Sequence, residues 1–129
     1  MPIPDVLDGF DVPAAVDRML GQPALWQQAL ALFVDHFADW ETSWHEAGDD
    51  LIQERKQVHA LRSAAANVGA IRLAVRAADL ELAVTSVSKG VPAHGLDALR
   101  QLLLDEFRGT WKTASVALVS LTHDAGGSA

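Results

Sequence analysis

Apolar residues recur every three or four positions through most of this chain, and a pattern with that period buries its apolar side only when wound as α-helix. Sustained period-2 alternation is missing, there is no Asn-Gly hairpin dipeptide, and alanine and leucine dominate, so strands have little to form from. Helices must therefore supply the fold.

The breaks between helices can be placed from capping chemistry. Asp11 is positioned to cap a short helix with Pro13 in its first turn, running through Val16, Met19 and Leu20 until Gly21. Pro23 opens a second helix with apolar positions Leu25, Trp26, Ala29, Leu32, Phe33, His36, Phe37 and Trp40, predicted to continue to about Trp44–Ala47. Gly48-Asp49-Asp50 gives a stop and a new acidic N-cap, and a third helix follows to about Val68. Asn67-Val68-Gly69 reads as its end. A fourth helix then runs from Ala70 or Ile71 through Leu73, Ala77, Leu80 and Val84 toward Val87. After the turn Lys89-Gly90-Val91-Pro92, the last helix starts near Gly95 or Leu96. It continues through Leu99, Leu103, Phe107, Trp111, Ala114 and Leu118, with residues 124–129 expected as a frayed tail. Four long helices, a short leading one and short connections predict one all-α domain spanning 1–129, an antiparallel four-helix bundle with an additional N-terminal helix.

Charge and composition narrow the function classes. At 129 residues with half of them hydrophobic, the chain can build one substantial core. A formal net charge of −7 disfavours nucleic acid and anionic membrane, both of which need a basic surface. With no cysteine, thiolate ligands, thiol nucleophiles and disulfides are excluded, and cytoplasm is the expected compartment. No apolar run approaches the roughly 18–20 residues of a membrane span, and the N-terminus lacks a basic segment followed by an apolar one. A polar outer face on each helix favours a monomer.

Within the third helix, Val58, Leu61, Ala65 and Val68 gather on one side, which must face the core; His59 points roughly 140° from that side and is predicted to face solvent. Ile52, Arg55, Ser63 and Ala66 lie within about 40° of His59, with Lys56 and Arg62 at the sector's edges. A histidine thus stands among three cations, with small side chains one and two turns further on and an apolar residue two turns before. Neutral imidazole is available near neutral pH and its free ring nitrogen is a nucleophile. Phosphoryl transfer asks mainly for positioning and charge stabilisation, which nearby Arg and Lys supply. Helical spacing alone does not separate such a histidine from an ordinary solvated face. By the same rotation Glu54 falls into the core sector.

The run His59-Ala-Leu-Arg62-Ser63-Ala-Ala-Ala66-Asn-Val-Gly69-Ala resembles the signature of histidine-containing phosphotransfer (HPt) domains, His-x-Leu-Lys-Gly-Ser/Ala-Ala-x-x-x-Gly-Ala. Upstream, Phe10-Asp-Val-Pro-Ala-Ala-Val and Gly21-Gln-Pro-Ala-Leu-Trp26, with Leu32-Phe33, look like that family's lead-in helices; downstream, Ala77-Ala-Asp-Leu-Glu81-Leu-Ala83 looks like its Ala-x-x-Leu-Glu-x-Ala segment. The resemblance implies a helical bundle whose one histidine, here His59, accepts phosphate from a receiver-domain aspartate and returns it to another. It implies a carrier in two-component signalling rather than an enzyme. Arg62 would take the place of the lysine that supports the phosphoryl group, with Arg55 and Lys56 as further support. Ile52, Ser63 and Ala66 would meet the receiver, and Gly69 would be the glycine of the central hairpin. The implied partners are response-regulator receiver domains and a hybrid sensor histidine kinase, with no cofactor of its own and Mg²⁺ supplied by the receiver. Arg62 for lysine changes the shape of the charge. Ser63 for glycine keeps the approach open and adds a hydroxyl, while Trp26 stands where tyrosine is common in the family. The alternative is a non-phosphorylated binding module of the same shape that docks on a receiver or kinase as inhibitor or scaffold.

Other candidates carry less. Glu41, His45 and Asp49 share a face and suggest a metal, but the Glu-x-x-His pairs of di-metal bundles are missing, so a solvated face is expected. His36 is read as packed or at a boundary, His94 and His123 as helix-end residues, and Trp40, Trp44 and Trp111 as packing. Phosphate-binding glycine loops and nucleophile elbows do not occur in the sequence.

Overall fold

In a computed structural model, which describes Pro4 and residues 6–127, with side chains through Leu121, the chain is helical. Among the described residues six helices follow one another: α1 Val12–Arg18, α2 Pro23–His36, α3 Trp40–Glu46, α4 Leu51–Val68, α5 Ile71–Ser88 and α6 Leu96–Gly127. The nearest thing to a strand among them is an isolated bridge between Leu7 and Phe10.

Side-chain chemistry caps the starts of α1 and α4. Asp11 Oδ1 accepts from the Ala14 amide at 3.1 Å, and Asp50 Oδ1 accepts from the Ile52 and Gln53 amides, each at 3.1 Å. α1 stops at Arg18, earlier than the glycine at 21 suggested, because Leu20 has already turned left-handed with φ 61°. Gly69 closes α4 at φ 81° and sends its amide and that of Ala70 back to the last-turn carbonyls of Ala66 and Ala65. A Cβ at Gly69 would stand 2.8 Å from both the Asp11 carbonyl oxygen and the Ala15 Cβ, so this turn is closed to side chains by crowding as well as by conformation.

α4 and α5 form a helical hairpin at that turn. α5 packs on α6, α6 on α2, and α2 on α4, while α1 lies on α2 and α4 and α3 lies on α4. The enclosed core is built from Trp26, Leu30 and Phe33 of α2, Val58, Leu61 and Ala65 of α4, Leu73, Ala77, Leu80 and Val84 of α5, and Leu103, Phe107 and Ala114 of α6. Buried indole N–H groups find partners on the backbone: Trp26 Nε1 donates to the Val68 carbonyl and Trp40 Nε1 to that of Gln57, both at 2.9 Å. The packing is that of a helical bundle.

The predicted second helix is two. The chain turns through Phe37–Asp39, and α3 lays Trp40 and Trp44 over α4, with Trp40 also against the Phe107 ring at 4.9 Å. Neither glycine nor proline marks the break, and Phe33, Phe37, Trp40 and Trp44 keep a helical period across it, so the pattern hides it. The expected stripe is also corrected. The buried line on α2 is Trp26, Leu30 and Phe33; Leu30 joins it, and Leu25, His36 and Leu32, the last 69 % exposed, lie outside it. His36 touches the core only edge-on, its ring 5.1 Å from that of Phe37. At the other end α6 is helical through Gly127, past the position 124 at which fraying was expected; residues 128–129 of that tail lie outside the described residues.

Candidate functional site

His59 sits midway along α4, facing away from Val58 and Leu61, with just over half of its side chain (53 %) exposed. Its Nδ1 lies 2.8 Å from Glu81 Oε2 on α5 and 3.2 Å from Arg62 Nη2, one turn further along α4. An ionised carboxylate only accepts and a guanidinium only donates, so Nδ1 can serve one of them at a time. The shorter contact is to the carboxylate, which requires the proton on Nδ1 and leaves the lone pair on Nε2. Arg62 is held by the same acid: its Nε is 2.8 Å from Glu81 Oε1. Both atoms of that contact are sealed from solvent and lack hydrogen-bond geometry, so they attract as charges without a directed bond. Histidine, arginine and glutamate thus form a closed set in which one carboxylate fixes the imidazole and the cation beside it.

Glu81 is a site residue that the sequence marks only as part of the Ala77–Ala83 segment. The hairpin could have revealed it, since His59 lies ten residues before Gly69 and Glu81 eleven after Ala70, and a fold at that turn sets them side by side. Arg55, Lys56, Ile52, Ser63 and Ala66 are all exposed on α4, and Arg62 is half-buried. Arg55 and Lys56 make no ion pair among the described residues. Gly69 is buried at the hairpin turn, away from the ring, and Arg18 of α1 donates to the Ala66 carbonyl at 2.8 Å, bracing the end of α4.

Glu54, the acid that rotation placed in the core sector, is indeed buried at 3 % exposure. Arg100 of α6 reaches it with two hydrogen bonds, 2.7 and 2.9 Å, and Trp44 Nε1 donates to it at 3.0 Å. Donating to the Glu54 carboxylate, and drawn by its charge, the Arg100 guanidinium is held above its ordinary pKa against the pull of burial. α4 therefore shows no free acidic side chain beside its three cations, although the chain carries −7 overall.

The metal alternative finds no support in this arrangement. Arg108 donates twice to Glu41, at 2.8 Å each, and that hydrogen bonding holds the Glu41 carboxyl below its usual range against a smaller opposing effect of burial. His45 stands 3.8 Å from Glu41, Asp49 is exposed, and among the described residues no three potential ligands converge. His94 is exposed ahead of α6, and the side chain of His123 lies outside the described residues. Trp111 packs at the core's edge with its Nε1 donating to the Val34 carbonyl at 2.9 Å. Among the described residues no helix is long and apolar enough to cross a membrane.

No family model matches this sequence, and neither a curated protein nor a solved structure matches it.

Proposed function

We propose that this chain is a phosphohistidine carrier of the HPt kind, with α2, α4, α5 and α6 as an antiparallel four-helix bundle and His59 as the phosphoacceptor. The observation that carries the reading is the 2.8 Å contact between His59 Nδ1 and Glu81, on a ring that is otherwise open to solvent. It leaves Nε2 as the free nucleophile, amid cations, on a protein otherwise rich in acids.

In the proposed step Nε2 attacks the phosphorus of an aspartyl phosphate on a receiver domain. The P–N bond forms as the P–O bond to the aspartyl carboxylate breaks, and the carboxylate leaves with the electron pair. Nδ1 keeps its proton, so the phosphorylated ring is a cation that Glu81 neutralises from below. Arg62, with Arg55 and Lys56, faces the phosphoryl oxygens. Transfer to a second receiver reverses these changes. Ile52, Ser63 and Ala66 surround the ring with a contact surface that leaves room for the partner. Mg²⁺ comes with the receiver, a hybrid sensor kinase is the upstream donor, and the chain works as a cytoplasmic monomer without autokinase activity.

Incubation with a ³²P-labelled phospho-receiver tests this. Acid-labile, base-stable label that disappears in His59→Gln is the expected result. A chain that binds the receiver but never acquires label is the inhibitor or scaffold module instead.

A further inference from the structure

Beside the imidazole, α5 presents an apolar strip that the core does not use. Ile71, Val75 and Leu82 are 51, 56 and 70 % exposed, and at 100° per residue they fall within about 40° of one another, on the solvent side of Glu81. Because Glu81 touches His59, this strip borders the ring along the α5 edge. Exposed apolar side chains aligned along one side of a helix offer a partner apolar area to cover. On α4 itself Arg55 lies one turn before the ring on its Glu81 side and Lys56 on its other side, both exposed and unpaired among the described residues, and the helix's one acid is buried on Arg100. The imidazole is therefore flanked by cations along α4, with the apolar strip beyond them on α5.

The opposite flank differs. α2 exposes Leu32 beside Asp35, Asp39 follows in the turn, and the helix carries no Lys or Arg, the cation on this flank being Arg18 of α1 at the Ala66 carbonyl. A partner carrying an acyl phosphate brings negative charge, which Asp35 and Asp39 repel and the cations of α4 attract. On the α5 side the nearest exposed acid is Asp79, at the strip's far edge.

We infer that the receiver docks across the α4–α5 hairpin rather than across α2, setting an apolar ridge on Val75 and Leu82 while the acidic rim of its phosphorylation pocket meets Arg55 and Lys56. This rests on the phosphotransfer reading above. Phosphoryl exchange then happens on a face that is positively charged along α4 and hydrophobic along α5. A second copy of the chain is a poorer occupant of the same face, since it would set Arg55 and Lys56 of both copies on one interface.

The test uses the full chain and a panel of isolated receiver domains, carrying forward the one that takes label fastest from phosphorylated wild type. Titration calorimetry then compares wild type with Val75→Lys/Leu82→Lys and with Leu32→Lys, all at exposed positions. The inference expects the α5 double variant to weaken binding more than tenfold and to slow transfer in parallel, with an unchanged far-ultraviolet circular dichroism melt and with Leu32→Lys within twofold of wild type. Wild-type affinity in the α5 variant, or a loss confined to Leu32→Lys, overturns the docking face but leaves the carrier intact. Light scattering that shows a wild-type dimer split by the α5 variant assigns the strip to self-association and also overturns it. If no receiver takes label from wild type, the carrier reading fails and the docking inference goes with it.

Discussion

His59 Nδ1 and Glu81 Oε2 stand 2.8 Å apart across the α4–α5 hairpin, and Arg62 Nη2 waits 3.2 Å from the same nitrogen. The carboxylate and the guanidinium ask opposite things of the ring. With Glu81 present the proton belongs on Nδ1; with Glu81 gone, Arg62 becomes the donor and the proton moves to Nε2, the nitrogen proposed to attack phosphorus. Glu81→Leu is therefore expected to switch the tautomer, read from the ¹⁵N shifts of His59, and to slow phosphorylation by phosphoramidate roughly tenfold to a hundredfold, the scale on which orienting partners of histidine act. Glu81→Leu/Arg62→Met should regain part of the rate by removing the competing donor. An unchanged tautomer in Glu81→Leu would remove the basis for this role.

Gly69 sets the pairing that brings those two residues together. Its φ of 81° and the 2.8 Å approach of the Asp11 carbonyl to a would-be Cβ are independent obstacles to a side chain. Gly69→Ala should cost about 1–2 kcal/mol for the left-handed conformation alone, and more once Asp11 and Ala15 are pushed away. The amide of Asp11 donates to the Gly69 carbonyl at 2.8 Å, so the N-terminal segment should loosen with the turn. Urea denaturation gives the cost, and amide exchange at Asp11 reports the loosening.

The helices that flank the site were legible for a physical reason. Asp50 and Gly69 bound α4 with capping chemistry that acts locally, and the apolar period of α4 and α5 turns His59 outward regardless of what packs elsewhere. What stayed hidden was long-range. Glu81 becomes a site residue only when the hairpin closes, and Glu54 makes sense only with Arg100, 46 residues away, inside reach. The break at Phe37–Asp39 left no mark because the aromatic period survives it, and the exposure of Leu32 depends on where α4 and α6 come to rest against α2. Local signals wrote the elements; the pairings between them were written in residues that look ordinary until they meet.

Glu41 gives the fold an acid-sensitive contact well away from His59. Arg108 hydrogen-bonds both of its carboxylate oxygens and holds its pKa below the ordinary 4.5. A lowered folded-state value means that the contact stabilises fully above the unfolded value and is lost as pH falls through the folded one. Arg108→Met should therefore be less stable than wild type from neutral pH down to about pH 5. The two curves should converge as pH drops below 4.5. High salt should narrow the neutral-pH gap too, because the pair is exposed. Urea midpoints across pH 3–7 check both expectations.

Glu54 and Arg100 are the opposite case, an ion pair carried into the interior. Glu54 is 3 % exposed, and every hydrogen bond it receives comes from Arg100 or Trp44. Removing the cation leaves a buried charge that water cannot reach, so Arg100→Met should destabilise by about 3–5 kcal/mol. Removing both charges relieves that penalty, and Glu54→Leu/Arg100→Met should recover to within about 2 kcal/mol of wild type, the remainder being the orphaned Trp44 indole N–H. The pair lies at the start of α4, where it neutralises the helix's one internal acid and leaves the surface around His59 positive. A double variant as unstable as Arg100→Met would mean that the pair holds α6 onto α4 by more than charge balance. Guanidinium denaturation of the two single variants and the double variant, arranged as a thermodynamic cycle, decides between those outcomes.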